Sequence, residues 1–176
     1  MTDSLYFDTD CLSAFLWVKA EGLLTAMYSG RMIIPQQVYN ELSNPAIAHL
    51  KARLDALINS GGAAVLPILA NSPEYSHYLK LISMPDEGCA IIGKGEAAAI
   101  TLAFASGGIV ASNNMKDVSY YVTELGLRLI TTGGILLKAF EQSLITEDEG
   151  NLLWSAMLAK KRKIGAASFT DYLFNK

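Results

Sequence analysis

Asp8, Glu41, Glu96, Asn114 and Asp117 are the residues whose types and settings could do chemistry together. Each closes a short apolar run or stands in the first turns of the helical pattern that follows one. Carboxylates gathered at one place repel and raise one another's pKa unless a cation neutralises them. Hard oxygen donors of this kind suit Mg2+ or Mn2+, and such ions commonly serve phosphoryl chemistry.

The elements that must position these residues are legible as an alternation. Five β-like segments, "SLYFD" (4–8), "RMII" (31–34), "AVLPI" (64–68), "GIVAS" (108–112) and "LRLIT" (127–131), are apolar at nearly every position. That is the pattern of strands buried on both faces of a parallel sheet. Helical patterns lie between and after them: "CLSAFLWV", "EGLLTAMYSG", "PQQVYNELS" with Pro35 at a first helical position, and "PAIAHLKARLDALINSGG". "GEAAAITLAFASGG", "NMKDVSYYVTELG" and "TEDEGNLLWSAMLAKKRK" complete the set. The expectation is a single α/β domain.

In an open α/β sheet the ligand crevice lies at the carboxyl ends of the strands. Asp8 falls there directly, and Glu41 lies within the helix that follows the second strand. The alanine-rich helix that begins near Glu96 spans roughly 18 Å at ~1.5 Å per residue. The strand after it returns about 16 Å at ~3.3 Å per residue. The start of that helix and the strand end carrying Asn113 and Asn114 therefore meet on one edge, so four sequence-distant polar positions converge there.

Each residue also has an ordinary reading. Asp8 or Asp10 can cap the first helix, Glu41 can be a solvated acid, and Glu96 can favour the positive end of a helix dipole. "SNNMKD" poses the sharpest question. Asn114 is a good N-cap and Asp117 resembles its capping-box partner. The same Asn114 can instead combine a cap with a metal or water contact, since its carbonyl oxygen remains a ligand although a full charge is missing. Both readings stay open at this point.

Composition limits the remaining possibilities. The 176 residues are about half hydrophobic, with fourteen Lys and Arg against seventeen Asp and Glu. The net charge of −3 does not advertise a nucleic-acid binder by bulk electrostatics, so any such binding needs a local patch. No apolar stretch approaches the ~18 residues of a membrane span, and "MTDSLYFDTD" lacks the basic start of a signal peptide. Cys11 and Cys89 are far apart without a nearby histidine, which predicts reduced thiols in a cytoplasmic protein. "GCAIIGKG" (88–95) nearly spells a phosphate-binding loop, but Gly95 stands where Ser or Thr must reach Mg2+. A flexible loop leading to Glu96 is expected instead, with Lys94 near enough to meet a phosphate. "KKRK" (160–163) is read as a solvated helix end before an RNA contact, and His49 and His77 as surface residues.

With these residues placed, the chain resembles the PIN-domain nucleases, the family that includes VapC-type toxins. The resemblance rests on "YFDTDCLSAF", "IIPQQVYNELS", "GKGEAAAITLA", "IVASNNMKDV" and "LGLRLITTGGIL", in that order over roughly residues 4–137. It implies a three-layer α/β/α fold with a parallel sheet of order 3-2-1-4-5, and 138–176 as a C-terminal helical extension packed on it. It implies an Mg2+- or Mn2+-dependent endoribonuclease, plausible as the toxin of a toxin–antitoxin pair, with a small antitoxin partner and often a homodimer. Asp8 and Glu96 would hold the metal with Asn114, and Glu41 would complete the cluster or position water. Asn114 falls where many relatives carry a fourth aspartate, and Asp117 supplies the carboxylate in the version that "SNNMKD" fits. Lys94 and Lys161 are the candidate RNA contacts. A PIN-like RNA-binding or assembly protein with weakened metal binding is the alternative.

Overall fold

A computed structural model describes residues 3–85 and 89–175. Its centre is β1 (Leu5–Phe7), flanked by β2 (Met32–Pro35) and β4 (Ile109–Ala111). β3 (Ala63–Leu66) and β5 (Arg128–Ile130) form the two edges. All pairings are parallel, in the order β3-β2-β1-β4-β5, with Leu5 beside Met32 on one side and Ile109 on the other. The expected strand order and helical layers are thus observed.

Alternation along the strands divides the apolar side chains between two cores. Leu5, Phe7, Met32 and Ile34 face the first, and Tyr6 and Val110 face the second. The first core is closed by α1 (Thr9–Trp17), α2 (Glu21–Tyr28), α3 (Gln36–Leu42) and α4 (Ala48–Asn59). The second lies under α5 (Pro73–Ser83), α6 (Lys94–Ser106) and α7 (Met115–Glu124). α6 buries its alanines from Ala97 to Ala103 completely, so small side chains let this helix lie close to the sheet.

α8 (Thr132–Glu141), α9 (Glu147–Ala159) and α10 (Phe169–Phe174) join the first core. Trp154, Met157 and Phe169 are fully buried there, and the Trp154 indole N–H donates to Ala166 O at 2.9 Å.

Several elements differ from the sequence reading. Pro35 does not open α3. It ends β2 with an extended backbone (φ −56°, ψ 143°), pairs with Leu66, and stands at the N-cap position of the helix. A proline at a strand end sacrifices no interior ladder hydrogen bond. The segment 45–62 divides into a 3-10 turn, Pro45–Ile47, and α4, because Asn44 caps that turn through Ala46 N–H. α5, α8 and α10 are helices beyond those expected from the sequence. Ser72 before Pro73 is a legible start for α5, whereas Gly133 and Gly134 disguise the first turn of α8. Gly133 is there for space: a Cβ on it would lie 2.6 Å from Tyr172. Of the stretch that resembles a phosphate-binding loop, Gly88 lies outside the described residues. Gly93 is the N-cap of α6 and Ile92 is buried, so Lys94 and Gly95 open a helix.

Candidate active site

β1 is the switch point of the sheet, because the chain leaves it toward β2 and β3 and later returns on its other side as β4. The loops after β1 and β4 therefore border one crevice. Backbone bonds hold these two loops in place: Asp8 N–H donates to Ala111 O at 2.9 Å and Ser112 N–H to Ile130 O at 3.0 Å.

Asp8 is the N-cap of α1. Its Oδ1 accepts from Cys11 N–H at 2.7 Å, so the ordinary capping role is real. The other oxygen is not explained by capping. Asp8 is 0% exposed and its Oδ2 is buried with no hydrogen bond of good geometry, although the Ser112 hydroxyl lies near the carboxyl. Burial pushes the carboxyl up to about 7, against the lowering effect of the Ser112 hydroxyl and the Cys11 N–H; the charges of Glu96 and Asp10 add to the rise.

Glu96 lies in the first turn of α6, three residues after its glycine N-cap, and its side chain folds back over Gly93. A Cβ on Gly93 would overlap Glu96 Oε2. Gly95 is equally constrained: its Cβ would sit 2.8 Å from Thr9 Oγ1 and 3.3 Å from Glu41 Oε2. The "GKGE" sequence thus lets α6 start against α1 and α3. Glu41, in α3, accepts a short hydrogen bond from the Thr9 hydroxyl and remains exposed.

The two asparagines have different tasks. Asn113 ties the β4 loop to the β5 loop: its Nδ2 donates to Thr132 Oγ1 at 2.9 Å, and Thr132 N–H donates to its Oδ1 at 2.8 Å. Asn114 stands at the N-cap position of α7, but its side chain makes no capping hydrogen bond. The capping-box expectation is therefore corrected. Asn114 Nδ2 donates instead to Asp117 Oδ2 at 2.8 Å and to Glu96 Oε1 at 3.3 Å. Two carboxylates that only accept require the amide to present its donors, and hydrogen bonds to charged oxygens outweigh a neutral cap.

Asn114, Asp117 and Glu96 are thus joined directly, Asp8 is coupled to Glu96 through their charges, and Glu41 is joined to the rim through Thr9. Among the described residues no three His, Cys, Asp or Glu side chains sit as a ready-made metal-binding group. Lys94 is exposed at the first position of α6, and Lys161 is exposed just beyond α9. The sequence places Asn113 on the rim without its tie to Thr132, and it gives Thr9 no role. Thr9 has the signal of following Asp8 directly, but the pairing of Asn113 with Thr132 has no signal in the sequence.

A profile of the PIN-domain family DUF3368 matches residues 5–173. The chain belongs to the PIN-domain family. The PIN match reaches well past residue 137, where the quoted motifs stop, and takes in α8 and α9. No curated protein matches the chain. PIN domains are a nuclease-type family that acts on RNA and generally uses divalent metals. Among the described residues of this PIN domain no helix is long and apolar enough to cross a membrane.

Proposed function

We propose that this PIN domain is a divalent-metal-dependent endoribonuclease, with Asp8, Glu41, Glu96 and Asp117 as its catalytic carboxylates. The observation that carries the reading is Asp8 Oδ2, a buried oxygen with no hydrogen bond of good geometry at the switch point of the sheet. An orphaned carboxylate oxygen destabilises the fold unless a ligand uses it. The surrounding donors are hard oxygens, so the residues present fit Mg2+ or Mn2+. Asp8 and Glu96 would hold the ion, with Asn114 contributing Oδ1 after releasing its carboxylate partners. Such an ion supplies water activation and stabilises charge on the phosphate. Glu41, hydrogen-bonded by Thr9, would orient water, and the exposed Lys94 would meet a phosphate.

Calorimetric titration of Mn2+ into metal-free protein, with Asp8→Asn alongside, tests this reading. Binding abolished by the variant, together with RNA cleavage that EDTA stops, is expected. Absence of binding in the parent protein overturns it.

A second reading has its own support in the absence of a ready-made metal group among the described residues and in the Asn114 bridge between Glu96 and Asp117. In that reading the chain is an RNA-binding or assembly protein. Its RNA affinity would then depend steeply on salt and not on metal. The toxin role, a small antitoxin partner and a homodimer are what the resemblance implies, a cytoplasmic location is what the separate Cys11 and Cys89 imply, and sedimentation of the purified chain tests the dimer. We also read 1–176 as one domain, with 138–176, from the last turn of α8 onward, as an extension packed on it.

A further inference from the structure

α9 ends at Ala159, and Lys160, Lys161, Arg162 and Lys163 follow it in succession. The run is not a frayed helix end. Lys161 takes a left-handed backbone (φ 57°), its N–H donates to Leu158 O at 2.8 Å, and Arg162 N–H donates to Met157 O at 3.0 Å. This tight turn sends the Arg162 side chain back onto α1. Its Nη1 donates to Ser13 Oγ at 3.3 Å and lies 3.6 Å from Asp10 Oδ1. The Lys160 ammonium lies over the Trp17 ring, 5.4 Å from its centroid. Asp10, Ser13 and Trp17 all belong to α1, the helix that Asp8 caps.

The basic turn is therefore pinned to the helix that starts in the candidate site. Arg162 and Lys160 make the attachment. Lys161 and Lys163 remain exposed, and among the described residues neither is paired with a carboxylate. A polyanion approaching Asp8, Glu41, Glu96 and Asp117 is repelled, in a chain whose net charge is already −3. Positive charge fixed along α1, reaching Asp10 two residues from Asp8, offsets that repulsion and raises the local concentration of phosphate.

We propose that the turn 160–163 is a phosphate grip, in which Lys161 and Lys163 hold the backbone of single-stranded RNA beside the carboxylates. The proposal rests on the ribonuclease reading for its substrate class. The turn is a surface that binds, and it needs no metal.

The test is fluorescence anisotropy of a labelled single-stranded RNA oligonucleotide with the full chain in EDTA, across a series of salt concentrations. The parent is compared with the Lys161→Ala, Lys163→Ala double variant and with Lys51→Ala, a lysine already engaged by Asp55. Each lost phosphate contact on a single strand removes ~0.7 from the slope of log affinity against log salt, so the double variant should lose about 1.4. Its affinity should fall for every RNA sequence alike, while Lys51→Ala behaves as the parent and the melting curves of all three coincide. An unchanged slope in the double variant, or no RNA binding by the parent, overturns the grip. RNA binding that depends on the two lysines in a protein that cleaves nothing would uphold the grip and refute the nuclease reading.

Discussion

The two oxygens of Asp8 have different surroundings. Oδ1 caps α1, and Oδ2 is left buried and unsatisfied. Its carboxyl titrates near 7 in the fold against 3.8 as the ordinary value. Between those values the folded state holds a proton that the unfolded state has lost. The stability contribution is therefore complete below about pH 4 and disappears as pH rises through about 7. At ~1.4 kcal/mol per pH unit, this costs the metal-free protein about 4 kcal/mol at pH 8. Asp8→Asn retains a good cap and removes the ionisation. Urea unfolding in EDTA should find the variant more stable than the parent at pH 8 and the difference gone at pH 4. An equal difference at both pH values would show that Asp8 ionises freely in the fold. Asn114 makes the opposite case. Asn114→Asp replaces a donor between Glu96 and Asp117 with a third negative charge. The metal-free protein should lose about 1–3 kcal/mol, and Mn2+ should bind roughly tenfold more tightly, as added ligand charge favours the ion. Weaker binding by this variant would show that the amide itself is the better ligand.

At the scale of elements, the start of α6 decides how the site closes. Helix propensity alone favours Gly95→Ala by ~1 kcal/mol. Sterics oppose it, because the added Cβ meets Thr9 Oγ1, Glu41 Oε2 and Val38 together, with α1 and α3 behind them. Overpacking at a rigid junction costs about 1–3 kcal/mol, so the contact should win and Gly95→Ala should lower the melting temperature. Gly93→Ala meets only the flexible end of Glu96. It should leave the melting temperature nearly unchanged while weakening Mn2+ binding, because Glu96 must move. Thermal melts and calorimetry on the two variants separate these effects, and identical behaviour would mean that neither glycine was selected for close approach.

At the scale of the whole molecule, the first core extends from the central strand to the last helix. Phe7 and Trp154 are buried in the same cluster, and Trp154 is also in ring contact with Phe169 and Tyr172. Gly150 leaves room for the Phe169 ring, since a Cβ there would overlap it. Trp154→Ala should therefore destabilise the entire chain by about 3–5 kcal/mol in a single cooperative transition. A separate early transition with the main melt unmoved would show that the C-terminal helices fold on their own.

The alternation of apolar runs and helical patterns pointed to a parallel sheet and placed Asp8, Glu96 and Asn114 on one rim, because rise per residue fixes which edge each element ends on. The strand order came only with the family resemblance. The resemblance carried by "YFDTD" and "GKGE" reached the family. Side-chain direction was not available from spacing. Whether Asn114 caps α7 or bridges two carboxylates depends on Glu96, which α6 brings from eighteen residues away. That Arg162 returns to Asp10 and Ser13 depends on a left-handed turn after α9 and on the packing of that helix over α1. Local sequence sets where a residue stands along its element. The charges and volumes that the fold brings beside it decide where its side chain turns, and only the tertiary structure supplies those neighbours.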